Sequence, residues 1–210
     1  MTSTPPPGRF IAVEGIDGSG KTTLCRALAD WLPTSGLMPP GADLVVTREP
    51  GGTPLGQEIR RLLLDPPDGA TPCPRAELLL FLADRAQHVE TVIRPALEAG
   101  HWVLTDRFSG STVAYQGYGR GNADALTAAA DCMRPDLTLW LDVPAWESME
   151  RRRGQPDRME SDPKILPRVV EGFREQYLIT PDWFRINATL SPEQVLAKAQ
   201  SILCDRFQTP

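Results

Sequence analysis

Gly15-Ile16-Asp17-Gly18-Ser19-Gly20-Lys21-Thr22 satisfies the pattern G-x-x-x-x-G-K-[ST]. An apolar run ends just before it and a helical segment begins at its lysine, which is the setting the pattern requires. The glycines let backbone N–H groups converge on phosphate oxygens without Cβ clashes. The helix N-terminus adds about half a positive charge at the same spot. Lys21 is then expected to reach the β- and γ-phosphates of a nucleoside triphosphate, and the Thr22 hydroxyl to complete a Mg²⁺ site. With Thr23 the stretch forms the candidate triphosphate-binding loop.

The loop does not say where the γ-phosphate goes. A base-reading N-K-x-D of the GTPase type is absent, and LWLDVP offers a lone Asp142 in place of the acidic pair of motor ATPases. ATP with a small-molecule acceptor is the expectation. Arg48 follows a second apolar run, and Asp106-Arg107 follow a third. In ELLLFLADRAQ, Phe81 and Arg85 are four apart and share one helical face. An aromatic plane beside a guanidinium suits a planar base with a carbonyl to hydrogen-bond. Spacing alone equally allows a core Phe, a solvated Arg and two salt-bridge arginines. Beside a phosphate loop, two arginines at a ligand edge point towards phosphate binding.

These residues need elements to position them. RFIAVEG, ADLVVTREPGG up to Thr47, HWVLTDRF, DLTLWLDVP and FRINAT read as five strands. Helices are expected from Lys21, over 54–64, over 75–99 with a kink at Pro95, over 123–133, after Pro144, over 164–178, and from Pro192 with Ser191 as N-cap. The strands are continuous apolar runs, so they should be buried on both faces. That predicts a parallel sheet with helices on both sides and a site at the C-terminal edge of its strands.

The chain of 210 residues is 41% hydrophobic with a net charge of −5, which suits one domain over 9–210 behind a loose tail at 1–8. The mildly acidic balance argues against nucleic-acid or membrane-surface binding. Its 22 basic residues include only three lysines, Lys21, Lys164 and Lys198. Four scattered cysteines, Cys25, Cys73, Cys132 and Cys204, lack zinc spacing. No signal peptide or membrane span is evident, and a cytoplasmic protein with reduced thiols is expected.

The segments FIAVEGIDGSGKTT, TREPGGTPLGQEIRRLLLD, ELLLFLADRAQHVETVIRPAL, WVLTDRFSGSTVAYQGYGRG, PDLTLWLDV and RRRGQPDRME resemble those of bacterial thymidylate kinases. The resemblance spans about residues 9–160 and weakens beyond. It implies a P-loop kinase fold with a five-stranded parallel sheet, and transfer of the ATP γ-phosphoryl group to dTMP. It implies that Arg48 and Arg107 hold the dTMP phosphate, Phe81 stacks on thymine and Arg85 hydrogen-bonds a thymine carbonyl. Ser111, Thr112 and Gln116 would sit beside the nucleotide, Tyr115 would crowd the sugar C2′, and Asp17 would contact the 3′-hydroxyl. Asp106 would orient Mg²⁺ through water. A homodimer is implied as well. A deoxynucleoside kinase is the rival reading, since such enzymes share a DR motif after the third strand.

The phosphate loop carries no arginine of its own, so the resemblance is to the class that supplies one from a lid, here about 150–162. Arg151, Arg152, Arg153 and Arg158 are the candidates. Arg153 is favoured because Gly154 follows it. Asn187-Ala188-Thr189 fall on the adenine side. His88 and His101 are expected to be structural or surface residues, and the five tryptophans packing residues.

Overall fold

The computed structural model describes residues 8–130, 133–152, 158–160 and 164–208. Among them β1 (Phe10–Glu14), β2 (Leu44–Arg48), β3 (Trp102–Asp106), β4 (Leu137–Asp142) and β5 (Trp183–Asn187) form one parallel sheet. Their order is β2-β3-β1-β4-β5. The chain leaves β1 towards β2 and later crosses to β4 on the other side. The C-terminal end of β1 therefore opens on a crevice, where a ligand binds in such sheets.

Alternation along the inner strands explains the layers. Ile11 and Val13 join one core, and Phe10 and Ala12 join the other. Trp102 and Leu104 face the first, Val103 the second. A period of two sends successive side chains to opposite faces, so apolar residues at every position need helices on both. The outer strands are less covered, and Val46 on β2 is half exposed. The expected burial on both faces holds for the three inner strands, because an edge strand has a neighbour on one side only.

The helices are α1 (Lys21–Trp31), α2 (Pro54–Leu64), α3 (Pro74–His88), α4 (Arg94–Glu98), α5 (Ser109–Thr112), α6 (Asp124–Ala130), α7 (Ala145–Arg151), α8 (Ile165–Ile179) and α9 (Pro192–Phe207). Thr53 caps α2 by accepting from the Gly56 N–H at 2.9 Å, with Pro54 at the first helical position. Ser191 and Gln194 form a capping box on α9.

The span expected as one helix over 75–99 is divided. A π-helical turn, Val89–Ile93, joins α3 to α4, and the Arg94 N–H reaches back five residues to the Val89 carbonyl. Pro95 has no N–H and its ring crowds the carbonyl four residues back, so the helix widens just before it. A second wide turn, Val113–Gly119, follows α5 and carries Tyr115 and Gln116.

Several boundaries differ from expectation. β2 reaches Arg48 rather than Thr47. Gly8 belongs to the packed chain, its N–H donating to the Leu97 carbonyl at 3.3 Å. The rest of the expected tail, 1–7, lies outside the described residues, as do 131–132 of the helix expected over 123–133. So do 153–157 and 161–163 of the expected lid, Arg153 included. Trp102 and Trp140 are buried and Trp31 and Trp183 pack against the core, whereas Trp146 is 66% exposed and is not a packing residue.

Candidate active site

The loop between β1 and α1 has the backbone its glycines permit. Gly15 has φ 145° and Gly18 φ 77°, a region that L side chains rarely adopt. A Cβ on Gly15 would lie 2.8 Å from the Leu141 carbonyl oxygen, and one on Gly18 would lie 2.8 Å from that of Ser148. Gly20 is the N-cap of α1 and no side chain caps that helix, so its first N–H groups face the loop. Lys21 is buried. Its Nζ donates to the Ile16 carbonyl at 2.8 Å and lies 3.8 Å from Asp17 Oδ1. Burial, then the Arg107 charge, pulls its pKa below the ordinary lysine value. Ser19 Oγ is buried with no hydrogen-bond partner among the described residues.

At the end of β3, Asp106 Oδ2 accepts from Thr22 Oγ1 at 2.7 Å. This pair joins the first turn of α1 to the sheet. No cluster of three His, Cys, Asp or Glu side chains suited to a metal occurs among the described residues. A hard cation there would be held by one hydroxyl and one carboxylate plus phosphate and water, which is how Mg²⁺ is commonly bound. The residues fit that ion.

Arg107 is the only non-glycine with positive φ, 76°, among the described residues. Such a backbone costs on the order of 1–2 kcal/mol and persists because its surroundings fix it. Its N–H donates to the Val13 carbonyl and its own carbonyl accepts from Thr105 Oγ1, both at 2.9 Å. Buried Glu14 pins the turn beyond: one oxygen accepts from the Phe108 and Ser111 N–H groups at 2.9 and 3.0 Å, and the other from Ser111 Oγ at 2.6 Å. Burial raises the Glu14 pKa, while these bonds and Arg107 oppose the rise. The Arg107 side chain donates to the Gly15 carbonyl at 2.9 Å, to Ser111 Oγ at 3.0 Å and to Asp17 Oδ1, and lies over the Tyr115 ring.

Two cavities meet at Asp17, Glu49, Arg60 and Arg107. The first, about 390 Å³, is a room among Lys21, Thr22, Arg48, Asp106 and Arg151. Arg48 is exposed there and makes no ion pair among the described residues. The second, about 100 Å³, is lined by Phe81, Arg85, Ser111, Thr112, Tyr115, Gln116 and Met159. Thus every acceptor-side residue named from the sequence lines one of the two. Gln116 is buried. Its Nε2 donates to Glu77 Oε1 at 2.9 Å, while Oε1 has no partner among the described residues. Tyr115 donates its hydroxyl to Glu160, which also accepts from the Asp17 N–H at 3.2 Å.

A third cleft, about 540 Å³, lies beyond the loop between Gly18–Leu24 and Ala188–Leu196. It contains Ala188 of the Asn187-Ala188-Thr189 stretch. Arg151 walls it, donating to the Ala188 carbonyl at 2.7 Å and to Glu147 at 2.6 Å. The other described lid arginines turn elsewhere. Arg152 pairs with Glu160 at 2.7 Å, and Arg158 binds the Leu63 carbonyl at 2.7 Å and Glu77.

Sequence reasoning missed Arg60, which lines both rooms and donates to the Pro50 carbonyl at 3.0 Å. It also missed the buried carboxylates Glu14, Glu49, Glu77 and Glu160 that hold the site together. The one available signal was an acidic residue closing an otherwise apolar strand, at Glu14.

The family model for thymidylate kinase matches residues 13–199. A thymidylate kinase of Synechococcus sp. (strain RCC307) is 55% identical over 203 residues, covering 93% of this chain and 95% of that one. One of Parasynechococcus marenigrum (strain WH8102) is 53% identical, covering 95% and 99%. The crystal structure of a thymidylate kinase from Ehrlichia chaffeensis superposes with a TM-score of 0.74 at 32% identity, over 94% of this chain and 100% of that one. No helix among the described residues is long and apolar enough to cross a membrane.

Proposed function

The chain belongs to the thymidylate kinase family and phosphorylates dTMP to dTDP; on that premise we propose which of its residues do the work. ATP is the donor, with Mg²⁺, and its polyphosphate lies along Gly15–Thr23. The dTMP phosphate lies opposite, on Arg48 and Arg107. The reading is carried by one observation: a cationic room and a base-sized pocket share the wall made by Asp17, Glu49, Arg60 and Arg107.

An oxygen of the dTMP phosphate attacks the γ-phosphorus, the bond from that phosphorus to the β–γ bridging oxygen breaks, and ADP leaves. The acceptor oxygen is already anionic, so no general base is required. Catalysis rests on positioning and charge. Lys21 holds the β- and γ-phosphates and Arg107 the acceptor. Mg²⁺, held by Thr22 and through water by Asp106, would neutralise charge on the donor phosphates. Arg153 supplies the cation at the transferring group. Arg151 is committed to Glu147 and the Ala188 carbonyl, which suits a wall of the ATP cleft better.

Thymine stacks on Phe81, Arg85 donates to one of its carbonyls, and the Gln116 oxygen accepts from its N–H. Ser111 and Thr112 line the nucleotide, Tyr115 crowds C2′ and Asp17 meets the 3′-hydroxyl. The enzyme acts as one unit over 9–210, in the cytoplasm. It forms a homodimer, a reading supported by exposed Leu55 and Leu79 on the packed pair α2 and α3.

Steady-state kinetics of Arg85→Ala test the base reading. The KM for dTMP should rise on the order of tenfold to a hundredfold, as loss of a charged hydrogen bond implies, with the KM for ATP nearly unchanged. Equal loss for both substrates would contradict it.

A further inference from the structure

Arg85 does not stand alone in the pocket wall. Its Nε donates to Glu49 Oε2 at 2.9 Å, and its Nη2 lies 2.8 Å from the same oxygen in an ion pair. Its guanidinium carbon lies 5.1 Å from the centre of the Phe108 ring. The carboxylate fixes one edge of the guanidinium and the ring fixes its plane.

Glu49 is itself buried, and its second oxygen lies 3.0 Å from His88 Nδ1. His88, the last residue of α3, is fully buried, and its Nε2 lies 2.7 Å from Thr47 Oγ1. A carboxylate can only accept, so Nδ1 carries the hydrogen and donates to Glu49. Nε2 and the Thr47 hydroxyl share the second hydrogen bond. Room for the imidazole comes from Gly52, where a Cβ would lie 2.7 Å from Nε2. A hydrogen-bonded chain thus runs from β2 through His88 and Glu49 to Arg85. An apolar side chain would fill the same space, yet this position engages both ring nitrogens.

We propose that His88 is a positioning residue for thymine recognition, holding Glu49 in the rotamer that aims Arg85 into the base pocket. The inference rests on the reading of Arg85 given above. Without the Nδ1 hydrogen, Glu49 loses the second of its two links to α3 and can swing together with Arg85, the first. Binding of dTMP then weakens, while ATP, on the far side of Lys21, is unaffected.

The test is a double-mutant cycle on the full chain, with Tm measured beside the kinetics. His88→Leu should raise the KM for dTMP roughly tenfold and leave that for ATP within about twofold, as loss of one charge-assisted bond acting at one substrate implies. His88→Asn, whose amide nitrogen takes the place of Nδ1, should stay near wild type. In an Arg85→Ala background, His88→Leu should add nothing, because both act through one group. Multiplying effects would overturn the proposal. So would equal damage to both KM values, or an Asn variant as impaired as the Leu variant. If His88→Leu does not fold, His88→Gln replaces it. Its amide reaches the Nε2 position instead, so it should show the loss that His88→Asn does not. An Arg85→Ala variant with normal dTMP binding would instead refute the reading of Arg85 itself.

Discussion

Gln116 Nε2 donates to Glu77 Oε1 across 2.9 Å, and that bond sets which end of the Gln116 amide faces the base pocket. With the nitrogen engaged, the buried oxygen is left as an acceptor. Glu77 also binds Arg120 at 3.2 Å and Arg158. One carboxylate therefore ties α3 to the wide turn at 113–119 and to residues 158–160.

Glu77→Ala should accordingly do two things. The Gln116 amide is free to turn over, and the KM for dTMP rises on the order of tenfold. Two arginines lose a buried partner, which costs on the order of 3 kcal/mol and lowers Tm by several degrees. Kinetics and a thermal melt check both. A lowered Tm with unchanged KM would separate the stabilising role from the orienting one and refute the latter.

Thr22 and Asp106 predict a metal dependence. Asp106→Asn keeps the shape and removes the charge. The Mg²⁺ concentration giving half-maximal kcat should shift upward, and kcat at saturation should fall by about a hundredfold, the scale of losing a stabiliser of transferring phosphate. A lowered kcat with an unshifted Mg²⁺ curve would remove Asp106 from the metal site.

Arg153 and Arg151 predict different kinetics. Arg153→Ala should lower kcat by about a hundredfold or more with little change in either KM, since the contact proposed for it belongs to the transition state. Arg151→Ala should chiefly raise the KM for ATP, because Arg151 braces that cleft. The reverse pattern would exchange the two roles.

Asp84 predicts a pH dependence of stability. Burial pushes its carboxyl from 3.8 up to about 6, against the hydrogen bond from the Gly51 N–H. A raised carboxyl pKa means the fold binds the proton more tightly than the unfolded chain does. The stabilisation is complete below 3.8 and is lost as pH rises through about 6. Asp84→Asn keeps an acceptor and removes the charge, so its Tm should exceed wild type at pH 8, by less as pH falls through about 6, and converge with it only near 3.8. A difference that does not change with pH would contradict this.

The legible parts of the site are those written in local sequence. The phosphate loop is contiguous, Arg48 and Arg107 stand at the ends of apolar runs, and Phe81 with Arg85 follows from helical spacing. The carboxylates were illegible because their partners are distant: Glu49 meets Arg85 36 residues away, and Glu14 meets Phe108 94 residues away. An isolated Glu reads as solvated until the sheet order brings those segments together. The widened turns were also hidden, although Pro95 marked where one of them must fall. The sequence leaves His88 open as a structural or a surface residue, and it is buried; its link to Arg85 appears only when β2 and α3 are placed side by side.

The most direct measurement is ADP release from ATP and Mg²⁺ against dTMP, dUMP, dCMP, UMP and thymidine, with a reaction lacking any acceptor. Strong turnover with dTMP, weaker with dUMP, and little with dCMP, UMP or thymidine is the predicted result. It would support the base pocket, the C2′ wall at Tyr115 and the phosphate role of Arg48 and Arg107 together. Turnover with thymidine in place of dTMP, or ADP release without an acceptor, would contradict the account.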